Sequence, residues 1–250
     1  MEYRKFKCIW IERGGDKLLL ASLMIGILIC YVLPIAGLII LTRKRKGAGK
    51  AFVWGALAFV VSQLLIRLPI LQLVFPNFQW FAVMQLYPWR YGLFLGLTAG
   101  LAEETARWIA ARCFLQGKDT LEHGLVFGLG HGGIEAMLLI GPNMIAGAVL
   151  VLTGQTALFP ADGGSVLVAG AERIFAMAFH IGAALLVLYG VRAGRGFRYW
   201  VLAVALHTVL DAAVVILPGI FGVGVMGLEL YAAVLGGLTL TLGIWFYRRG

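Results

Sequence analysis

Seven long apolar stretches, separated by short polar or basic connections, constrain this chain more than any other feature of its sequence. Each is at least about 20 residues long, the length that an α-helix needs to cross the hydrocarbon core of a bilayer. The stretches cover residues 18–41, 51–73, 91–115, 121–150, 166–191, 198–218 and 225–247. Because a helix satisfies its own backbone hydrogen bonds, they predict an all-α polytopic membrane protein, a bundle of about seven transmembrane helices.

The composition supports this class and a simple domain organisation. Hydrophobic residues make up 61% of the 250 residues and charged residues only 13%, whereas a soluble domain carries about 25% charged residues. Too few charges are present to cover a water-facing surface, so lipid is an expected partner. We predict an N-terminal tail over 1–17 and one transmembrane domain over 18–250. Pro142 predicts a kink or an end within the fourth stretch.

The distribution of basic residues predicts an orientation. The chain has a net charge of +9, and Lys and Arg collect in alternate connections near 43–50, 112–118, 192–198 and 248–249. Basic loops of transmembrane proteins face the cytoplasm, which places the C-terminus inside and the N-terminus outside a cell membrane. The basic N-terminal tail opposes this orientation, but four alternating stretches outweigh it. Charges gathered in short loops do not indicate a nucleic-acid partner.

Ionisable side chains interrupt four of the apolar stretches, where they are costly and usually functional. The residues are Glu103, Glu104 and Arg107 in the third, His131 and Glu135 in the fourth, His180 in the fifth, and His207 and Asp211 in the sixth. Counted from the cytoplasmic ends, Glu103 and the three histidines lie roughly 14–18 Å deep at 1.5 Å per residue. Four segments reaching one depth predict a single buried polar site near the middle of the membrane.

The spacing of these residues suggests pairs. His131 and Glu135 are four residues apart and share a helix face, and the same spacing joins His207 to Asp211. A carboxylate near a histidine can orient its ring or join the site itself. Arg107 is within reach of both Glu103 and Glu104. If one carboxylate pairs with the guanidinium, the other is free for proton transfer.

The chemistry of these groups favours hydrolysis with a glutamate-activated water. His131, His180 and His207 are candidate ligands of a metal ion such as Zn²⁺, with an open position for water. Alternatively, two histidines hold the water directly and no metal takes part. The spacing is compatible with both. Isolated buried histidines also occur as packing residues, and Glu172, Arg173, Arg67 and Glu229 near the outer ends of their spans are interpreted as snorkelling or structurally paired groups.

Three short motifs in this region resemble a known family. They are the run Glu103-Glu104-Thr105-Ala106-Arg107, Phe127 four residues before His131, and His207 four residues before Asp211. In order and placement they resemble the YhfC family of intramembrane metalloproteases and, more widely, the CAAX-processing and bacteriocin-processing membrane proteases and the PrsW proteases. The resemblance covers about 91–211. The interval between the glutamates and the arginine resembles that of the PrsW pattern. In the CAAX-type pattern this interval is one residue longer.

The resemblance implies a peptidase of the cytoplasmic membrane that acts on a peptide or a membrane protein. Glu103 would be the base and Glu104 the partner of Arg107. His131 and His207 would position the water or a metal, and Asp211 would orient His207 or contact the substrate. Two other functions are compatible with the sequence. A proton- or metal-ion-coupled transporter also needs buried acids and histidines, and a non-catalytic interaction or immunity protein could keep the same scaffold.

Overall fold

The structure, a computed structural model, describes residues 2–117 and 120–249, with side chains from residue 15 onward. Within these residues every regular element is helical. Helix α1 covers 2–44, with a π-helical segment at Leu28–Val32, and is followed by seven further helices. These are α2 (Ala48–Asn77), α3 (Gln79–Gln85), α4 (Pro88–Phe114), α5 (Leu121–Leu152), α6 (Gly163–Arg192), α7 (Gly196–Phe221) and α8 (Val225–Arg249).

Six helices in the described part of the chain are long and apolar enough to cross a membrane, namely α1 from Gly15, α2 and α5 to α8. Helix α4 has 27 residues but is less apolar than these six, because it carries Arg90, Glu103, Glu104, Arg107 and Arg112. It nevertheless packs against α2, α6 and α7. The chain is therefore a multi-pass membrane protein, and the predicted all-α bundle of about seven transmembrane helices is confirmed. The predicted N-terminal tail continues α1 as helix from Glu2.

Several of the membrane helices contain π-helical turns. In α5 the segment Ala136–Ile140 directly precedes Gly141 and Pro142. Proline has no N–H to donate, and its ring crowds the carbonyl four residues earlier, so the local hydrogen bonding shifts. The helix continues to Leu152, and Pro142 therefore distorts the helix without ending it. In α2 the segment Val60–Arg67 is also π-helical and buries Gln63 in the bundle.

A row of glycines brings α4 against α7. An added Cβ atom would lie 2.8 Å from Ala212 O at Gly92, 2.4 Å from Thr208 O at Gly96, and 2.8 Å from Val204 O at Gly100. Glycines four residues apart on one face let two helix backbones approach this closely. The contact places the start of the acidic run on α4 beside His207 on α7.

Glycines on α5 allow two further close approaches. An added Cβ atom at Gly128 would lie 2.4 Å from Ile181 Cα on α6, and one at Gly130 would lie 2.2 Å from Phe52 O on α2. Helix α5 is therefore held tightly between α2 and α6, which fixes the rotation of the helix that carries His131. Helix α6 is the most enclosed of the six spans, with 67% of its most apolar 18-residue stretch buried.

Candidate functional site

Helices α4, α5, α6 and α7 bring the ionisable residues to one place inside the bundle. Glu103, Glu104, Arg107, His131, His180 and His207 are all buried, with at most 4% of any of them exposed. Glu135 and Asp211 line the adjoining cavity. The common depth of these residues predicted a single buried polar site, and the structure brings them together in one cluster.

The carboxylate of Glu103 lies between three imidazole rings. Its Oε2 atom is 2.8 Å from His131 Nε2, which donates to it, and 4.0 Å from His180 Nδ1. Its Oε1 atom is 3.7 Å from His207 Nε2. The Glu103 carboxylate therefore lies within 4.0 Å of a ring nitrogen of each of the three histidines.

Glu104 has a different set of contacts. Its Oε1 atom accepts a hydrogen bond from Arg107 Nη1 and another from His207 Nδ1, the latter at 2.8 Å. The structure therefore pairs Glu104 with the guanidinium, and Glu104 also fixes the His207 ring through Nδ1. The remaining nitrogen of His207, Nε2, lies 3.7 Å from Asp211 Oδ2, which is beyond hydrogen-bond distance.

Arg107 links Glu104 to His180. Its Nη2 atom lies 2.9 Å from His180 Nδ1. A guanidinium group only donates hydrogen bonds, so Nδ1 accepts and the neutral ring carries its proton on Nε2. That Nε2 atom lies 2.6 Å from Glu135 Oε2. Glu135 therefore contacts His180 on the neighbouring helix, although its spacing along the sequence suggested His131.

Two arginines assigned to the outer ends of their spans turn inward. Arg173 has a side chain that is only 12% exposed; its Nη1 atom lies 2.9 Å from Glu135 Oε1 and it also pairs with Glu172. Of the two interpretations, snorkelling or a structural pair, the paired one describes Arg173. Arg67 donates from Nη2 to Leu95 O at 2.8 Å and from Nη1 to Gln63 Oε1 at 3.1 Å.

Gln63 is a polar contact of the site that the sequence analysis did not identify. Its Nε2 atom donates to Glu103 Oε1. The available signal was an amide in an apolar span, four residues before Arg67. An uncharged residue does not stand out by its charge, which is why a search for ionisable groups passes over it.

A cavity of about 320 Å³ adjoins the cluster, a size typical of the small end of ligand sites. Polar residues line it from the cluster outward, and these are Gln63, Glu103, Glu135, Glu172, Arg173, His180, His207, Asp211 and Glu229. The acid and imidazole groups therefore adjoin a space that is large enough for water and a small ligand.

A possible metal-binding group lies within the cluster. Glu103, His131 and His180 are buried and each offers one ligand atom, and these atoms lie within 4.8 Å of one another. One carboxylate oxygen and two imidazole nitrogens are donors that Zn²⁺ accepts, with a further position open to water. This set differs from the three histidines considered from the sequence, because His207 stands beside it. Binding through His180 Nδ1 would require Arg107 to release that nitrogen.

The helices and this cluster define the protein as a multi-pass membrane protein with an acid and imidazole site buried between its helices. A family model described as YhfC intramembrane metalloprotease matches residues 29–162 and 144–235, and the chain belongs to that family. The chain is 34% identical over 214 residues to the uncharacterized membrane protein YhfC of Bacillus subtilis (strain 168), a match covering 75% of this chain and 81% of that protein. No solved structure matches. The YhfC resemblance is therefore confirmed.

Proposed function

We propose that this protein is an intramembrane peptidase of the cell membrane, which hydrolyses a peptide bond in or near the bilayer. The observation that carries the proposal is the placement of the Glu103 carboxylate among three imidazoles beside a cavity with both polar and apolar lining residues. The family description supports the same class of reaction. The substrate is a peptide or a membrane protein, and the C-terminus faces the cytoplasm.

In the proposed mechanism Glu103 is the general base. It takes a proton from a water molecule, and the water oxygen forms a bond to the carbonyl carbon of the substrate. His207 donates through Nδ1 to Glu104, so its Nε2 lone pair is left to orient the water. When the C–N bond breaks, Glu103 returns the proton to the departing amine. Glu104 holds the His207 ring and Arg107 holds the His180 ring in place.

The same residues fit a divalent metal. Glu103, His131 and His180 would hold it, and a metal such as Zn²⁺ supplies a Lewis acid that activates water and polarises a carbonyl group. Elemental analysis of purified protein separates the two forms of the proposal. About one equivalent of zinc that is lost in His131→Ala and kept in His207→Ala supports the metal form, whereas active protein without metal supports the metal-free form.

The test of hydrolysis uses purified protein in detergent with two probes, fluorescein-labelled casein and a quenched fluorescent peptide containing a 20-residue apolar segment. We expect wild-type protein to cleave at least one probe. Glu103→Gln should reduce the rate by about 10²–10⁴-fold, the usual contribution of a general base. Glu122→Gln, at the start of α5, removes a carboxylate away from the site and should keep full activity. Full activity of Glu103→Gln in folded protein would refute the mechanism.

A transporter is the second candidate, because the contacts run from Glu135 through His180, Arg107 and Glu104 to His207 without a break. Such a chain of ionisable groups is also typical of proton pathways. Sealed vesicles containing the protein decide between the functions. Proton or metal-ion flux that Glu103→Gln abolishes, with neither probe cleaved, would establish transport and exclude the peptidase.

A further inference from the structure

We propose that Gln63 is a positioning residue, which fixes the orientation of the Glu103 carboxylate, and that Arg67 in turn fixes Gln63. The inference rests on the proposed function only in so far as Glu103 is the reactive acid or a metal ligand. It adds two residues of α2 to a site whose ionisable groups come from α4 to α7.

The direction of the Gln63 amide follows from its two partners. Arg67 Nη1 lies 3.1 Å from Gln63 Oε1, and a guanidinium can only donate, so this atom must be the amide oxygen. The NH₂ group therefore faces Glu103, where it donates to Oε1. The carboxylate of Glu103 could not accept from an amide turned the other way. Arg67 thus determines which end of Gln63 the acid meets.

Arg67 is itself anchored to the helix that carries Glu103. Its Nη2 atom donates to Leu95 O at 2.8 Å, and its Nε atom donates to Thr98 Oγ1 at 3.2 Å. Leu95 and Thr98 lie on α4, two turns and just over one turn before Glu103. The contacts therefore close a ring from α4 through Arg67 and Gln63 back to α4. A ring of this kind resists rotation of any one side chain.

The backbone of α2 is distorted where it presents these residues. Gln63 and Arg67 lie in the π-helical segment Val60–Arg67, and the N–H of Leu68 bonds to Gln63 O, five residues earlier. Gln63 is 7% exposed. Single π-helical turns occur often at functional sites. Here the eight-residue π-helical segment places an amide and a guanidinium on the inner side of a mostly apolar helix.

The two oxygens of Glu103 are held from different directions. His131 Nε2 donates to Oε2 at 2.8 Å, and Gln63 donates to Oε1. The last torsion of a glutamate side chain has a broad energy minimum, so one hydrogen bond alone leaves the carboxylate free to turn. Two bonds fix its plane. Removal of a side chain that orients a catalytic or metal-binding residue typically lowers activity or metal affinity by about 10–100-fold.

The kinetic test compares Gln63→Met, which keeps the length but removes the amide, with Ser62→Ala. Ser62 is the matched control, because its hydroxyl bonds within α2, to Ala58 O at 2.7 Å. With a probe that wild-type protein cleaves, we expect kcat of Gln63→Met to fall about 10–100-fold and KM to stay within twofold. Arg67→Met should lower kcat less, since the amide remains. A kcat of Gln63→Met within twofold of the control would overturn the proposal.

Two measurements do not depend on catalysis. Competition with a chromophoric chelator should show Zn²⁺ affinity about 10–100-fold weaker in Gln63→Met than in Ser62→Ala. A double-mutant cycle of Gln63→Met and Glu103→Leu, with thermal unfolding midpoints as the measured quantity, tests the contact between the two side chains. If the protein neither cleaves the probes nor binds Zn²⁺, the proposed function fails, while the cycle still decides this inference. The inference is supported if Gln63→Met lowers the unfolding midpoint less in the Glu103→Leu background than in wild-type protein. It is overturned if the two substitutions lower the midpoint by strictly additive amounts.

Discussion

The contact between α4 and α7 at Gly96 offers the sharpest test of how the fold holds the site. Replacement of Gly96 by alanine adds a single Cβ atom. That atom would lie 2.4 Å from Thr208 O, 2.8 Å from Ala212 N and 3.1 Å from Ala212 Cβ. Two of these neighbours are backbone atoms of a packed helix, so they cannot move aside alone, and the two helices must separate.

The size of the separation follows from these distances. A carbon atom approaches a carbonyl oxygen to about 3.3 Å, so the helices must move apart by roughly 1 Å. A movement of that size stretches the contact from His207 Nδ1 to Glu104 Oε1, now 2.8 Å, beyond hydrogen-bond distance. Overpacking of this kind costs about 1–3 kcal/mol of stability. A 1 Å misplacement of catalytic groups can reduce a rate by about 10²-fold.

Thermal unfolding in detergent, followed by tryptophan fluorescence, measures the loss of stability, and cleavage of a probe that wild-type protein cleaves measures the loss of activity. The control is Gly237→Ala on α8, where an added Cβ atom meets none of the described residues within 4 Å. This control should be as stable as wild type or gain up to about 1 kcal/mol from helix propensity. If Gly96→Ala has the same unfolding midpoint and the same cleavage rate as Gly237→Ala, the close backbone contact between α4 and α7 does not position the site.

Three further predictions concern other parts of the chain. Arg173→Met leaves the partly buried carboxylates of Glu135 and Glu172 without their counter-charge and should lower stability by about 3 kcal/mol. Arg195→Met, in the α6–α7 loop, should not lower it, and equal unfolding midpoints of the two variants would contradict this prediction. Asp162→Ala should lower the unfolding midpoint, because Asp162 caps α6, and Asp162→Asn should restore it. The hydrogen bond from the Ser165 hydroxyl, followed by those from the backbone N–H groups of Ser165 and Gly164, lowers the pKa of Asp162. The part of its contribution that depends on the charge is therefore present at neutral pH and lost as the pH falls through that lowered pKa, and a loss on raising the pH would be the wrong sign. A C-terminal green fluorescent protein fusion should fluoresce and a C-terminal alkaline phosphatase fusion should be inactive, and the reverse would disprove the proposed orientation.

The positions of the helices and the depth of the site follow directly from the sequence. Apolar length identifies a span, because the bilayer has a fixed thickness, and a regular rise per residue converts a count into a depth. Glu103, His131, His180 and His207 could therefore be assigned to one level before any contact between them was known.

The pairing of individual atoms could not be obtained in the same way. It depends on how each helix is rotated about its own axis, and close glycine contacts such as Gly128 with α6 set that rotation. The spacing in the sequence therefore suggested that Glu135 pairs with His131, whereas Glu135 contacts His180 on the neighbouring helix. Residues at one depth also cannot be told apart by their position along a helix, so the sequence did not separate His207 from the candidate metal-binding group.

The charges on α4 have a consequence for how the chain enters the membrane. Glu103, Glu104 and Arg107 lie within the span, and each such residue costs about 2.5–3.5 kcal/mol to insert near the centre of a helix. Helix α4 is therefore inserted poorly into the bilayer by itself. Its polar face is covered by α5, α6 and α7, which the ribosome synthesises later. Until those helices arrive, the nascent chain holds an unshielded acidic segment, so chains truncated before α7 should be retained by the insertion machinery and degraded.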